Sequence, residues 1–268
     1  MLTDAFYERF GGIQRLYGTA GAEAIQNSHF CVVGIGGVGS WVVEALARTG
    51  VGAITFIDHD DIAASNTNRQ LHTLTSTLDR SKAEVMAERV KDINPDCKVT
   101  AIDDLLTETK LEQYISAQFD YVIDAIDSIR HKAALINYCS RNKIPLIATG
   151  GAGGITDPTM IHITDLSKTY NDPLAAKVRA KLRNDYGFTK NPKRRFGIDC
   201  VFSSQQSVYP KADGSVCHRK PGVKGTTLDC NLGYGAATFV TATFGFIAVS
   251  RAMQKLIARH AAKKAEHE

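Results

Sequence analysis

A glycine-rich turn near the start of the chain has the residue types that bind phosphate groups. Residues 34–40 read GIGGVGS, which contains the spacing Gly-x-Gly-x-x-Gly and is followed by a segment of helical periodicity. Bare backbone amides at the start of such a helix attract phosphate. The glycines are Gly34, Gly36, Gly37 and Gly39. Asp58 follows at about 20 residues, where a carboxylate could bind a ribose hydroxyl. These features predict a nucleotide site and suit NAD and ATP equally well.

The segment after Asp58 favours ATP, because it carries polar groups that NAD does not need. The glycine turn alone holds the pyrophosphate of a dinucleotide, whereas a triphosphate requires further cations and amides. Such groups gather after the second predicted strand, and they are Asn66, Arg69, Gln70 and Lys82. Lys82 falls in the predicted first turn of a helix, where the helix dipole disfavours a cation. A bound anion would offset this cost.

An acidic group follows a later strand. Asp127 and Ser128 close the sequence IDAIDS, at the carboxyl end of the fourth predicted strand. A carboxylate there would face the phosphates and could hold Mg²⁺. Arg69, Lys82 and Asp127 are therefore the predicted catalytic residues, since fixed cations and a metal stabilise the charge that grows on transferred phosphates.

The elements that position these groups follow from hydrophobic periodicity. Short apolar segments rich in β-branched residues alternate with amphipathic ones, which predicts strands alternating with helices. The predicted strands are 29–36, 53–60, 97–103, 120–127 and 144–151, and the predicted helices are 38–50, 82–94 and 130–142. Right-handed crossovers then give a Rossmann-like α/β fold, a mostly parallel twisted sheet with helices on both faces. We also expect a C-terminal extension of this sheet.

Five elements, in order, resemble the adenylation domain shared by ubiquitin-activating enzymes and the bacterial activators of sulfur-carrier proteins. They are the glycine turn, the strand ending in Asp58, NTNRQ, the helix from SKAE to INP, and DAIDS, within roughly residues 5–165. Inside that superfamily the chain is most similar to the tRNA threonylcarbamoyladenosine dehydratases. That similarity lies in ATGGAGGITDPT, TYNDPLAAKVRAKLR and VFSSQQ.

The resemblance implies an enzyme that binds ATP and Mg²⁺, forms homodimers and adenylates a carboxylate. It assigns Asp58 to the ribose, Asp127 to magnesium, and Asn66, Arg69 and Lys82 to the phosphates. In the dehydratases, the threonyl carboxylate of threonylcarbamoyladenosine in tRNA becomes an acyl-adenylate. A nitrogen of its carbamoyl group then closes a ring and expels AMP, so no protein nucleophile is required.

Other functions share parts of this site. The main alternative is an adenylyltransferase that activates the C-terminus of a ubiquitin-like sulfur-carrier protein. Such activators commonly hold zinc with two CxxC pairs, which this sequence lacks. An NAD-binding oxidoreductase and a non-catalytic nucleotide-binding scaffold are more distant alternatives. The family has an RYxRQ-like segment near its N-terminus, and this sequence has RFGGIQR at that position. If a residue of this segment reaches the nucleotide bound by the other protomer of a dimer, it would be Arg9 or Arg15.

The second half of the chain is basic. Residues 168–224 hold thirteen lysines or arginines and four aspartates, a local charge of +9 in a chain of net charge +4. Such segregation favours contact with nucleic acid, here the tRNA substrate. The candidate contacts are Lys177, Arg179, Lys181, Arg183, Lys193, Arg194 and Arg195. We therefore predict an ATP-binding adenylation core (1–165), a basic, loop-rich substrate-binding segment (166–232) and a C-terminal helical segment packed on the core (233–268).

Composition and targeting signals point to the cytoplasm. The N-terminus lacks the basic start and apolar core of a secretory signal. Six cysteines without a CxxC pair argue against a zinc ribbon and a disulfide framework. Residues 233–249 are uncharged and approach the length of a membrane span, so membrane association is a minority alternative. A helix buried in the protomer or in a dimer interface is favoured, because the stretch carries three threonines. A sulfur-transfer protein is a further candidate partner.

Overall fold

The computed structural model describes residues 2–211, 213–218 and 235–265. Its strands are β1 (His29–Val33), β2 (Ala53–Asp58), β3 (Lys98–Asp103), β4 (Tyr121–Asp124), β5 (Leu146–Thr149), β6 (Ile161–Asp165), β7 (Asp199–Ser203), β8 (Tyr209–Pro210) and β9 (Val216–Cys217). The first seven form one sheet in the order β3-β2-β1-β4-β5-β7-β6, and β8 pairs with β9. Six strands of the large sheet run parallel, and β6 runs antiparallel to β7. The predicted parallel sheet and its C-terminal extension are confirmed.

Helices cover both faces of this sheet. They are α1 (Asp4–Gln26), α2 (Gly39–Arg48), α3 (Lys82–Ile93), α4 (Leu111–Tyr114), α5 (Ile129–Arg141), α6 (Pro173–Asp185) and α7 (Thr238–Ala265). One apolar core gathers Val42, Met86 and Phe244 from α2, α3 and α7, and a second gathers Leu135 and Val178 from α5 and α6. The three helices predicted from periodicity are present as α2, α3 and α5. As expected, Ser81 caps α3, which ends before Pro95.

The apolar stretch predicted for residues 233–249 lies mostly in α7, and its first two residues fall outside the described part of the chain. Val240, Phe244 and Ala248 recur at four-residue spacing and are fully buried. Phe239 and Phe246 lie elsewhere on the helix, with 57% and 46% of their surface exposed. Among the described residues, no helix combines the length and the apolar character that a membrane crossing requires.

The two edges of the sheet differ in what they carry. We call the edge where β1, β2, β4, β5 and β7 end the carboxyl edge, and the opposite one the amino edge. The start of α6 lies at the carboxyl edge, since Asp172 accepts a hydrogen bond from Gly151 N, just beyond β5. The loop before β7 lies at the amino edge, where Phe196 N donates to Asp165. The predicted substrate-binding segment thus also supplies β7 to the sheet, and the three-part division of the chain stays a prediction.

Candidate functional site

The glycine turn joins β1 to α2 at the carboxyl edge. Gly34 has φ +81°, a left-handed conformation that favours glycine, and its N–H donates to Ile57 O at 2.9 Å. A Cβ on Gly39 would lie 1.8 Å from Gly34 O, so the turn closes only with glycine there. No side chain caps the N-terminus of α2. Its first amides are therefore oriented toward the space where a phosphate would bind.

Asp58 is fixed against this turn. It is the last residue of β2, and its side chain is only 9% exposed. Its Oδ2 accepts a hydrogen bond from Ile35 N at 2.7 Å, and its Oδ1 accepts one from Asp60 N at 3.0 Å. The carboxylate thus lies beside the glycine turn on the neighbouring strand, the position from which it could bind a ribose hydroxyl.

Lys82 is the first residue of α3, as the sequence predicts, and it is 3% exposed. Its Nζ lies 2.7 Å from Asp60 Oδ2 and 4.0 Å from Asp58 Oδ1. These two carboxylates supply the negative charge that offsets the cost of a cation at a helix N-terminus. The position of Lys82 in α3 therefore does not by itself require a bound phosphate, and its predicted role rests on its distance from Asp58 and the glycine turn.

The segment between Asn66 and Gln70 lies against the glycine turn. A Cβ on Gly37 would come within 3.4 Å of Arg69 Cγ, and one on Gly36 within 3.7 Å of Gln70 Nε2. Trp41 Nε1 donates to Arg69 O at 3.1 Å, which ties this segment to α2. The Arg69 guanidinium donates to Ser65 O at 2.9 Å. Asn66 is half-buried and accepts a hydrogen bond from a nearby backbone amide.

Asp127 and Ser128 follow β4, the strand beside β1. Asp127 is exposed, and Ser128 lies at the N-cap position of α5. Their loop contacts the glycine turn, because a Cβ on Gly34 would lie 3.1 Å from Ala125 O. The structure therefore brings every predicted nucleotide-binding residue to one part of the carboxyl edge.

A buried ion pair supports the loop that carries Asp127, and the sequence interpretation missed it. Lys132 Nζ lies 2.9 Å from Asp124 Oδ1, with the two side chains 1% and 0% exposed. The same ammonium donates to Ile126 O at 2.9 Å, immediately before Asp127. Burial raises the pKa of the Asp124 carboxyl, and Lys132 opposes that shift. The detectable signal was a charged residue, Asp124, at the end of an otherwise apolar strand; Lys132 follows Arg130 and His131 in the first turn of α5 and gives no such signal.

His72 is a second residue that the sequence interpretation missed. It is 2% exposed, and its Nε2 lies 3.0 Å from Gln70 Oε1. Burial, reinforced by the nearby positive charge of Lys82, lowers the pKa of His72 to about 4. The imidazole is therefore neutral near pH 7 and orients Gln70 against the glycine turn.

The acidic groups differ in their suitability for a metal. Ligand atoms of Asp58, His59 and Asp60 lie within 4.8 Å of one another. However, Asp58 and Asp60 already contact Ile35 N and Lys82. Mg²⁺ commonly takes one or two carboxylates together with phosphate oxygens. Asp127 is exposed in the loop that contacts the glycine turn, so its carboxylate fits that ligand set and stays the predicted magnesium ligand.

The predicted nucleic-acid residues fall into two groups. Lys177 on α6 and Lys193, Arg194 and Arg195 near the amino edge are exposed. The others contact neighbouring side chains or backbone. Arg179 donates to Thr169, Lys181 pairs with Asp185 at 2.6 Å, and Arg183 lies over the ring of Phe196. The first group is free to track a phosphate backbone without breaking a side-chain contact in the described structure.

The buried cysteines do not have the environment of activated thiols. Cys31, Cys97, Cys139 and Cys200 are buried, and Cys217 is half-buried. Burial raises the pKa of Cys97 to about 11 and that of Cys139 to about 12. Thiolate formation is therefore disfavoured at both. Cys230 lies outside the described residues.

A glycine turn that opens a helix at the carboxyl edge of a parallel sheet, with a carboxylate ending the adjacent strand, defines a nucleotide-binding α/β protein of the Rossmann-like class. The model of the ThiF family matches residues 9–267. The chain belongs to the ThiF family.

Individual relatives agree with this assignment over nearly the whole chain. The chain is 57% identical to the tRNA threonylcarbamoyladenosine dehydratase of Escherichia coli (strain K12), with 97% of this chain and 98% of that protein covered. It is also similar to a crystal structure of the E. coli tRNA N6-threonylcarbamoyladenosine dehydratase in complex with ATP. That comparison gives a TM-score of 0.87 at 54% identity, covering 98% of this chain and 99% of the other.

Sulfur-carrier activators match a smaller part of the chain. The sulfur carrier protein ThiS adenylyltransferase of E. coli (strain K12) is 32% identical over 133 residues. This alignment covers 50% of the chain and 53% of the relative. The similarity to the dehydratases therefore covers nearly the whole chain, whereas the similarity to this activator covers half of it.

Proposed function

We propose that the protein is an ATP-dependent tRNA threonylcarbamoyladenosine dehydratase that removes one water from its substrate through a carboxylate adenylate. The observation that carries this conclusion is the full-length similarity to dehydratases, which includes the basic half of the chain. The geometry of the nucleotide site supports it, since the glycine turn, Asp58 and Lys82 lie together at the carboxyl edge. The sulfur-carrier alternative shares the ATP site but is not favoured by the second half of the chain.

In the first step, an oxygen of the threonyl carboxylate attacks the α-phosphorus of ATP, and the bond to pyrophosphate breaks. Negative charge on the leaving phosphates is stabilised by Arg69 and Lys82. The partner of Lys82 does not prevent this, because the Asp60 side chain is 52% exposed. Its carboxylate can remain hydrated when a phosphate oxygen takes its place beside the Lys82 ammonium.

In the second step, a carbamoyl nitrogen attacks the acyl carbon of the adenylate and loses its proton. The bond from that carbon to the AMP oxygen breaks, so AMP leaves with one oxygen of the original carboxylate. The sum of both steps is the loss of one water from the nucleoside and the cleavage of ATP to AMP and pyrophosphate. Since the nucleophile belongs to the substrate, the buried thiols need not react.

In this proposal Asp127 is the ligand that would hold Mg²⁺. A bound Mg²⁺ would neutralise phosphate charge during the first step. The contribution of the chain is to hold the carboxylate of Asp127 beside the glycine turn. Lys132 supports that position, because its ammonium binds Asp124 and the carbonyl of Ile126.

The tRNA, dimer and partner assignments are further parts of the proposal. The exposed cations of α6 and of the loop 193–195 would contact tRNA phosphates, and exposed Tyr170 offers a ring for stacking.

Exposed apolar side chains on α1 and α7, namely Leu16, Phe239 and Phe246, support a homodimer that covers them. A sulfur-transfer protein is retained as an additional partner. A cytoplasmic location follows from the tRNA substrate.

The proposal is tested by incubating the protein with ATP and bulk tRNA, then digesting the RNA to nucleosides. Mass spectrometry should find threonylcarbamoyladenosine converted to a product lighter by one water, and only when ATP is present. Pyrophosphate exchange should likewise depend on added tRNA. Exchange that requires a ubiquitin-like sulfur carrier instead, with no change in the nucleoside, would establish the alternative function.

A further inference from the structure

A cavity of about 290 Å³ opens at the carboxyl edge, beside the first turns of α6. It lies next to β5 and β7, on the side of β4 that faces away from β1. Its lining includes Asn171, Ala176, Arg179, Gln206, Tyr209 and His218. None of these residues belongs to the nucleotide site described above.

The lining has the chemical composition of a nucleobase pocket. The lining contains the Tyr209 ring, which is 6% exposed, and the Arg179 guanidinium, which also donates to Thr169. Aromatic rings and guanidinium planes are the two kinds of surface on which extruded bases stack. Asn171 and Gln206 contribute side-chain amides, which pair well with the donor and acceptor edge of adenine. These groups suit a planar ligand with polar edges.

The frame of the cavity is fixed by hydrogen bonds around the start of α6. Asp172 is 6% exposed, and its Oδ2 accepts from Gly151 N at 3.0 Å while its Oδ1 accepts from Ala175 N at 2.9 Å. Asn171 Nδ2 donates to Ser204 O at 2.8 Å. These contacts tie the start of α6 to the loops after β5 and β7. The cavity is thus built into the framework of the sheet edge.

We propose that this cavity receives the modified adenine of the tRNA, turned out of its base stack, and thereby selects threonylcarbamoyladenosine. The inference rests on the proposed dehydratase function and adds the location of the base. Enzymes that act on a base within folded nucleic acid commonly extrude it into such a pocket.

The distance from this cavity to the nucleotide site suits the substrate. The strands β1, β4, β5 and β7 are neighbours in that order, and adjacent strands lie about 4.8 Å apart. Counted along the sheet edge alone, the cavity is therefore one to two strand spacings, about 5–10 Å, from β4, the strand that precedes Asp127. The threonyl carboxylate is separated from adenine N6 by a carbamoyl group and one Cα, a reach of about 6 Å. A base in the cavity can thus present its carboxylate near the phosphates.

The helix α6 connects the cavity to the basic surface. It has 13 residues, so it extends about 20 Å from the carboxyl edge to the amino edge. Its exposed and half-buried cations lie along this path. Arg183, near its far end, lies over the ring of Phe196, which directly follows the loop 193–195. A tRNA backbone that follows these cations would bring one of its bases to the start of α6.

The test uses a bulky residue at the cavity and a matched one outside it. Ala176 and Ala180 are both exposed on α6, one turn apart, but in the described part of the chain only Ala176 lines the cavity. We expect Ala176→Trp to lower turnover of tRNA carrying threonylcarbamoyladenosine by at least about tenfold. Ala180→Trp should retain wild-type turnover. ATP affinity should be unchanged in both variants.

A second measurement isolates recognition of the base. Wild type should bind tRNA that carries threonylcarbamoyladenosine more tightly than the same tRNA with unmodified adenosine, and Ala176→Trp should lose this preference. Gln206→Ala, a change at an exposed position, should reduce the preference even if the tryptophan variant does not fold. Normal turnover and preference in a folded Ala176→Trp protein, or in Gln206→Ala, would overturn the inference while leaving the dehydratase function intact. Failure of wild type to dehydrate the nucleoside would instead refute the function itself.

Discussion

The ammonium of Lys82 lies 2.7 Å from a carboxylate oxygen of Asp60, and this ion pair joins the first turn of α3 to the loop after β2. The lysine is almost fully buried, whereas about half of the aspartate side chain is exposed. The Asp60 carboxylate can therefore leave the ion pair and stay hydrated, whereas the buried Lys82 ammonium would lose its partner without gaining water. A phosphate that approaches the glycine turn would meet a cation already held in place.

We expect Lys82→Ala and Arg69→Ala each to lower the turnover of the dehydration reaction by at least tenfold. Each change removes charge stabilisation at the leaving pyrophosphate worth more than about 1.4 kcal/mol. Lys255→Ala is the matched control, since Lys255 pairs with Asp199 at 2.9 Å at the amino edge. Circular dichroism should show an unchanged fold. Wild-type turnover in either site variant would refute the ATP-site assignment.

The fold was predictable because its signals are local. Buried parallel strands are continuous apolar runs, and the glycine turn and Ser81 mark where α2 and α3 begin. The placement of the glycine turn, Asp58 and Asp127 at one edge of the sheet was predictable for the same reason, since each ends or follows a strand. The pairing of Lys82 with Asp60 was not, because two charges 22 residues apart give no sequence signal of contact. Lys132 and His72 were missed because burial depends on the packing of distant elements.

Breaking the buried pair of Lys132 and Asp124 should strongly lower the free energy of unfolding. Lys132→Met would leave a carboxylate without its partner in the core and should lower the free energy of unfolding by about 3–5 kcal/mol. The double variant Asp124→Leu with Lys132→Met should lose less, because no unpaired charge remains. Urea denaturation measures both. Lys255→Met, at a pair with 42% lysine exposure, is the control and should change stability by less than about 1 kcal/mol. Equal losses in the single and double variants would contradict this account.

His72 should make the folded state sensitive to acid. Its pKa is about 4 when folded and 6.5 in its unperturbed form, so the unfolded chain binds more protons between these values. Stability is therefore retained above pH 6.5 and lost as the pH falls toward 4, by about 3 kcal/mol from this group. In His72→Gln, the drop in unfolding free energy from pH 7 to pH 4 should be smaller by that amount. Carboxylates also titrate in this range, but they do so in both proteins. Identical pH dependence would show that the imidazole is not the titrating group.

The exposed phenylalanines of α7 make the dimer testable. Phe239→Glu with Phe246→Glu places charges on the face of α7 that we expect a second copy to cover, so it should shift the protein toward monomers. Val216→Glu is the control, because Val216 is 62% exposed and lies on β9 rather than on α7. Sedimentation equilibrium distinguishes the species. A dimer of unchanged affinity in the double variant would place the interface elsewhere, and a wild-type monomer would refute the proposal.

A binding experiment on the loop with Lys193, Arg194 and Arg195 distinguishes an RNA substrate from a protein substrate. If these cations follow a tRNA backbone, replacing all three with Ala should weaken tRNA binding and flatten its dependence on salt. Fewer counterions are then released in each binding event. ATP affinity should stay the same, since the loop lies near the amino edge and the glycine turn lies at the carboxyl edge. The charge-matched control replaces exposed Lys98, Arg141 and Lys263, which lie on β3, α5 and α7. Parallel salt slopes and equal affinities for wild type and the loop variant would mean that the loop is only a solvated surface.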